Sequence, residues 1–230
     1  MRHKVLITGG TGMVGRSFKS NHKYDFIKLG SKDYDLENFT DALNMLSNNS
    51  PDYVIHLAAK VGGVKANTEQ VADFYRQNIL INTNVLEACR WYKIKKVVSL
   101  LSTCINPDTV DYPLTEEQIH RGMPHESNFG YAYAKRMIHI QSMAYRQQYG
   151  CNFVCAVPNN LYGKFDNFDL ENSHVIPAII RKVYEAKIQK KDHVTFWGDG
   201  SPLREFTYSN DLANDLLFIL ENAEINLSLM

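Results

Sequence analysis

A serine and a cysteine stand two residues apart at the end of a short apolar run, in Ser102-Thr103-Cys104, and Tyr131-x-x-x-Lys135 lies downstream. Serine, tyrosine and lysine are the groups a hydride-transfer site needs to add or remove a proton at a carbonyl oxygen. Four residues apart on a helix, Tyr131 and Lys135 share one face. The ammonium is expected to favour the phenolate and so lower the tyrosine pKa. The cysteine is surplus to that task. A thiol beside such a site points to a second chemistry on the same substrate, most simply proton exchange at carbon.

A dinucleotide would have to lie against these groups, and the start of the chain offers a place for it. Lys4-Val5-Leu6-Ile7-Thr8 reads as a buried strand. Gly9-Gly10-Thr11-Gly12-Met13-Val14-Gly15 follows directly, with a helical pattern from about Met13. Glycines at this spacing let the backbone turn tightly and approach a pyrophosphate, whose charge the helix N-terminus favours. The second strand, Asp25 to Leu29, ends in Gly30-Ser31-Lys32. An NAD site usually carries an acid there for the ribose hydroxyls. A hydroxyl and a cation instead suit a 2′-phosphate, so the expected cofactor is NADPH.

The remaining pattern supplies the scaffold. Asp35 is expected to cap a helix to about Ser47. Tyr53 to Leu57 reads as a strand ending in the small residues Ala58 and Ala59. A long amphipathic helix covers Val71 to Trp91, and Lys96 to Leu101 is a strand. A helix runs from Tyr131 to Gln148, Asn152 to Val157 is a fifth strand, and helices follow over Val175–Lys187 and Asp211–Asn222. Alternating strands and helices predict an α/β fold, a Rossmann-type doubly wound parallel sheet with ligands at the carboxyl ends of its strands. The expected division is a dinucleotide-binding domain over 1–158 and the start of a smaller, incomplete substrate lobe over 159–230, with elements packing back on the first domain.

The 230 residues, 44% hydrophobic with zero formal net charge, can bury one good core and give no reason to expect nucleic acid or membrane as a partner. Four cysteines without paired spacing argue for neither a zinc site nor a disulfide framework, and no metal is expected. A reduced, cytoplasmic setting follows.

The chain resembles the extended short-chain dehydrogenase/reductases and, within them, the GDP-L-fucose synthase family. The matching stretches are Gly9 to Gly15, His56-Leu57-Ala58-Ala59 with Val61-Gly62-Gly63-Val64, Leu101-Ser102-Thr103-Cys104-Ile105 and Tyr131-Ala132-Tyr133-Ala134-Lys135. They continue with Asn159-Asn160-Leu161-Tyr162-Gly163, Asp166-Asn167-Phe168, Ser173-His174-Val175-Ile176-Pro177, and Trp197-Gly198-Asp199-Gly200 with Arg204-Glu205-Phe206. The resemblance implies an NADPH-dependent enzyme that epimerises GDP-4-keto-6-deoxy-D-mannose at C3 and C5 and then reduces C4. It assigns Ser102, Tyr131 and Lys135 to reduction, and Cys104 and His174 to epimerisation. It places the cofactor on the glycine loop, Ser31, Lys32, Ala58, Ala59, Leu100 to Thr103, Tyr131, Lys135, Pro158 to Leu161 and His174. It places the GDP-sugar on Lys182, Trp197 and Arg204. It also implies a homodimer through the Val71–Trp91 and Tyr131–Gln148 helices. A nucleotide-sugar dehydratase or 4-epimerase of the same superfamily, or a non-catalytic NADP-binding sensor, are the alternatives. A dehydratase would carry an acidic pair where this chain has Cys104-Ile105.

Overall fold

Alternation along the first strand decides the layering. In β1 (His3–Thr8), Val5 and Ile7 enter one apolar cluster and Leu6 the other, as the two-residue period of a strand requires. The same split recurs at Val54 and Ile55 in β3 (Tyr53–His56) and at Val97 and Val98 in β4 (Lys96–Leu100). Both faces of these strands are therefore apolar and both need a cover. With β2 (Tyr24–Leu29) and β5 (Phe153–Ala156) they form a parallel sheet in the order β2-β1-β3-β4-β5. The computed structural model describes residues 2–170, 173–196, 198–201 and 203–223, with the backbone alone for Val64.

One face is covered by α2 (Phe39–Asn49), α4 (Val71–Trp91) and α5 (Phe129–Tyr149), through residues such as Met45, Leu86 and Ile138. The other is covered by α1 (Met13–Ser17) and α7 (Ser209–Asn222), through Val14, Leu212 and Leu216. The expected doubly wound sheet is thus observed. The helix closing its second face comes from the far end of the chain. Lys96, buried at the start of β4, donates to the carbonyls of Leu220 and Ala223 at 2.9 and 2.8 Å and so ties down the C-terminal end of α7, where a cation is favoured.

Three local features depart from the sequence reading. The helix expected from Asp35 begins at Phe39, because Asp35 forms a turn with Glu37 and Asn38, and the Asn38 side chain accepts the Thr40 N–H at 2.9 Å instead. A short helix, α3 (Val64–Glu69), precedes α4. Beyond β5, two three-residue strands, β6 (Asn160–Tyr162) and β7 (Phe206–Tyr208), pair in parallel around α6 (Val175–Ile188).

Candidate active site

Between β1 and β3 the chain reverses its direction of winding, and such a switch point opens a crevice at the carboxyl edge of the sheet. The expected cofactor positions following β1, β2, β3, β4 and β5 all lie on that edge. Gly9 has φ +66, and a Cβ there would meet the Ala58 nitrogen at 2.9 Å, so the glycine loop presses directly on the residues after β3. A Cβ on Gly15 would lie 2.5 Å from the Gly10 Cα, which is how closely α1 sits on its own loop. Ser31 and Lys32 are exposed at the tip of β2. Arg16, one residue beyond the last glycine, donates through Nε to the Thr11 carbonyl at 2.7 Å and holds a cation beside the loop. This backbone cradle fits a dinucleotide.

A buried polar chain fixes the crevice to the reacting groups. The Thr8 hydroxyl accepts from the N–H groups of Leu57 and Ala58, both at 3.2 Å, and donates to His56 Nδ1 at 2.8 Å. His56 Nε2 donates to Asn82 Oδ1 at 3.1 Å, and Asn82 Nδ2 donates to the Ala134 carbonyl at 3.1 Å. The amide direction assigns the His56 proton to Nε2. Burial, reinforced by the Lys135 charge, pushes the His56 pKa down to about 3, so the ring is neutral. The ends of β1 and β3 are thereby joined, through α4, to the residue just before Lys135.

Ser102, Cys104, Tyr131 and Lys135 come together after β4. Lys135 is buried and donates to the Leu100 carbonyl at 2.9 Å. Burial lowers its pKa to about 8, against the pull of the Cys104 and Cys155 thiols. Cys104 lies close enough to Ser102 and Lys135 for both to favour its thiolate, but burial pushes the thiol up by more than they pull it down. The Tyr131 ring stands edge-on to Phe74 at 6.4 Å. The expected lowering of the Tyr131 pKa is not found. Burial raises it well above the ordinary range, Cys104 adds to the rise, and the Lys135 ammonium, turned onto Leu100, does not offset either. Tyr131 is therefore a protonated donor. Arg136 braces the strand end from behind, bonding the carbonyls of Ile105 and Gly122. The same loop is held to α5 by His120 and His139, stacked with their ring nitrogens 2.9 Å apart.

The remaining predicted positions are more dispersed. Asn159 accepts from the Thr207 hydroxyl at 2.6 Å and Asn160 donates to the Glu205 carbonyl at 3.1 Å, so both side chains pin β6 to β7. His174 is exposed at the start of α6 and makes no hydrogen bond or ion pair with the Ser102–Cys104–Tyr131 cluster. Lys182 lines an open cleft of about 610 Å³ with Lys190, Lys191 and His193, and its Nζ lies 5.8 Å from the Phe196 ring centroid. Arg204 is exposed. Trp197 lies outside the described residues. Among the described residues no group of three His, Cys, Asp or Glu could hold a metal ion. The sequence reading missed Arg16, His56 and Asn82. For Arg16 the signal was a basic residue directly after the glycine loop. For His56 it was an imidazole inside an apolar strand.

The model of the NAD dependent epimerase/dehydratase family matches residues 5–227. The chain belongs to this family. Among its relatives, a GDP-L-fucose synthase of Dictyostelium discoideum is 45% identical over 231 residues, covering 97% of this chain and 71% of that protein. A GDP-L-fucose synthase of Sinorhizobium fredii is 38% identical over 222 residues, 95% of this chain and 71% of that protein. A GDP-L-fucose synthetase of Naegleria fowleri, solved bound to NADP, matches with a TM-score of 0.86 at 39% identity, over 95% of this chain and 72% of that one.

Proposed function

We propose that the protein is an NADPH-dependent epimerase-reductase that converts GDP-4-keto-6-deoxy-D-mannose to GDP-L-fucose. The observation that carries this reading is Cys104, which stands with Ser102, Tyr131 and Lys135 in one cluster after β4, in a chain 45% identical to a GDP-L-fucose synthase. The substrate's 4-keto group acidifies the C–H bonds at C3 and C5. Cys104 and His174 are the pair that removes a proton from one face and returns one to the other. Ser102 and Tyr131 donate hydrogen bonds to the enolate oxygen. Bound NADPH supplies the hydride that reduces C4. Tyr131, kept protonated by its burial, then gives its proton to the C4 oxygen, and Lys135 holds the end of β4 against the cofactor crevice. Lys182 and Arg204 supply positive charge for the diphosphate.

The outward sides of α4 and α5 carry exposed apolar side chains among polar ones. Tyr75, Phe129, Tyr133 and Met137 surround a hollow of about 320 Å³, with Tyr75 and Phe129 exposed. This face supports a homodimer in which the two helices of each copy form a four-helix bundle. Residues 1–158 act as the cofactor domain and 159–230 begin the sugar-nucleotide lobe, in a cytosolic enzyme. Among the described residues no helix is long and apolar enough to cross a membrane.

The test is incubation with GDP-4-keto-6-deoxy-D-mannose and NADPH in deuterated water. The expected result is NADPH consumption, deuterium at C3 and C5, and GDP-L-fucose as product. Reduction with C3 and C5 unchanged overturns the epimerase half of the reading.

A further inference from the structure

In the function above Tyr131 hands its proton to the C4 oxygen, yet among the described residues its hydroxyl makes no hydrogen bond. The aim of that hydroxyl therefore rests on what packs against the ring. Phe74 does so. The two ring centroids are 6.4 Å apart and the planes cross at 81°, the edge-to-face arrangement that aromatic pairs favour. Phe74 is buried and comes from the first turn of α4, and Tyr131 comes from the first turn of α5. Gly130 lets these two turns touch, since a Cβ there would lie 2.6 Å from the Val71 carbonyl oxygen.

The far side of Phe74 is held as well. A Cβ on Gly62 would meet the ring's Cζ at 2.9 Å, so the chain after β3 presses on the tip of the ring. Lys60 Nζ stands 5.1 Å from the ring centroid, a cation over an aromatic face. Lys60 is itself fastened to α4. The buried Asn78 accepts the Lys60 N–H at 3.0 Å through Oδ1, and its Nδ2 donates to the Lys60 carbonyl at 3.0 Å and to the Phe74 carbonyl at 2.7 Å. Ala58 and Ala59, expected against the cofactor, directly precede Lys60. Contacts thus run from the cofactor crevice through residues 60–62 and Phe74 to Tyr131.

We propose that Phe74 is a positioning residue for Tyr131, held by Lys60 and Gly62 so that the phenol stays aimed at the C4 oxygen beside the cofactor. A displacement of about 1 Å at a reacting group can cost about a hundredfold in rate, so the ring that restrains Tyr131 bears on the rate without touching the substrate. The proposal rests on the reductase role given to Tyr131 above.

Two measurements test it. NMR of ring-labelled Tyr131 in the intact protein reports ring flipping, whether or not the enzyme turns over. The two edges of the ring should give separate signals in the wild type and one averaged signal in Phe74→Leu. In the second measurement, NADPH consumption with the 4-keto sugar nucleotide should fall about 10–100-fold in kcat for Phe74→Leu, with KM within about twofold and NADPH affinity unchanged. Gly62→Ala disturbs the same ring from behind with Phe74 in place, and it should lower kcat in the same way. Combined with Phe74→Leu, whose shorter side chain leaves room for the added Cβ, it should cost nothing further. An averaged Tyr131 signal in the wild type, separate edges in Phe74→Leu, an unchanged kcat in either variant, or fully additive losses would overturn the positioning. Separate edges that merge in Phe74→Leu, in a wild type that consumes no NADPH, leave the positioning standing and remove the reductase reading instead.

Discussion

Burial keeps the Cys104 thiol protonated around neutral pH, and the Ser102 hydroxyl beside it can donate to a thiolate once one forms. Its value as an acid/base group lies in that readiness. Cys104→Ser preserves the size but gives up a proton far less readily. Deuterium exchange at C3 and C5 should fall about a hundredfold or more, the usual worth of a positioned acid or base, while NADPH affinity stays unchanged. Unaltered exchange would reduce the thiol to packing. His56 makes a prediction of a different kind. Its folded pKa of about 3 lies below the ordinary histidine value of 6.5, so the unfolded chain takes up a proton first as pH falls. Its contribution to stability is therefore whole above pH 6.5 and lost on the way down to pH 3, at up to about 1.4 kcal/mol per pH unit. His120 and His139 are also lowered by burial and titrate over part of that window, so the comparison must be between variants. Urea midpoints of His56→Gln should depend less on pH between 5 and 6.5 than those of the wild type, and parallel curves would remove His56 from the account. Tyr131 and Lys135 were legible in the sequence because helical spacing alone puts them on one face. His56 and Asn82 were not, because only the packing of α4 on the sheet brings residues so distant in sequence within bonding distance.

The strands were legible as apolar runs and the long helices by their period, with ends displaced by up to three residues where polar side chains chose the caps. The start of α2 is the clear example. Asp35 and Asn38 are both good caps, and only the turn between them decides that Asn38 serves. β6 and β7 escaped notice because three-residue strands carry too little pattern and pair across a long insertion. In the proposed function the tip of β2 carries the cofactor preference. Lys32 is exposed after the tip of β2, where the Asp33 carboxylate is taken up by the Gly30 N–H at 2.7 Å. Lys32→Ala should weaken NADPH binding by about tenfold to a hundredfold, the scale of one charge-assisted hydrogen bond, and leave NADH binding unaltered. Titration of both cofactors by fluorescence checks this. Equal affinity of the wild type for the two would place the discrimination elsewhere.

At the scale of the whole molecule, the exposed apolar side chains of α4 and α5 predict that the protein is a dimer at micromolar concentration. Tyr133→Asp, which puts a charge in the hollow beside Tyr75, Phe129 and Met137, should yield monomers by light scattering with the far-UV spectrum intact. A monomeric wild type would show that this face is simply solvated. A second global prediction concerns the tie between β4 and α7. Lys96→Met keeps the length of the side chain and removes two bonds from an ammonium to helix-end carbonyls. It should cost about 2 kcal/mol and lower Tm by about 4–8 °C, read by calorimetry. An unchanged Tm would mean that α7 is held by its apolar side chains alone.

That tie also dictates an order of events during synthesis. Strands β1 to β5 all leave the ribosome before α7 does, and until it arrives one side of the sheet has only α1 to shield Val5, Ile7, Ile55 and Val98. At roughly 5–20 residues per second, several seconds pass between the emergence of the last sheet strand and that of the helix that covers it. Throughout that interval the nascent chain presents a half-clothed sheet, the kind of surface to which chaperones bind. Lys96 cannot make both of its bonds until residue 223 has been added.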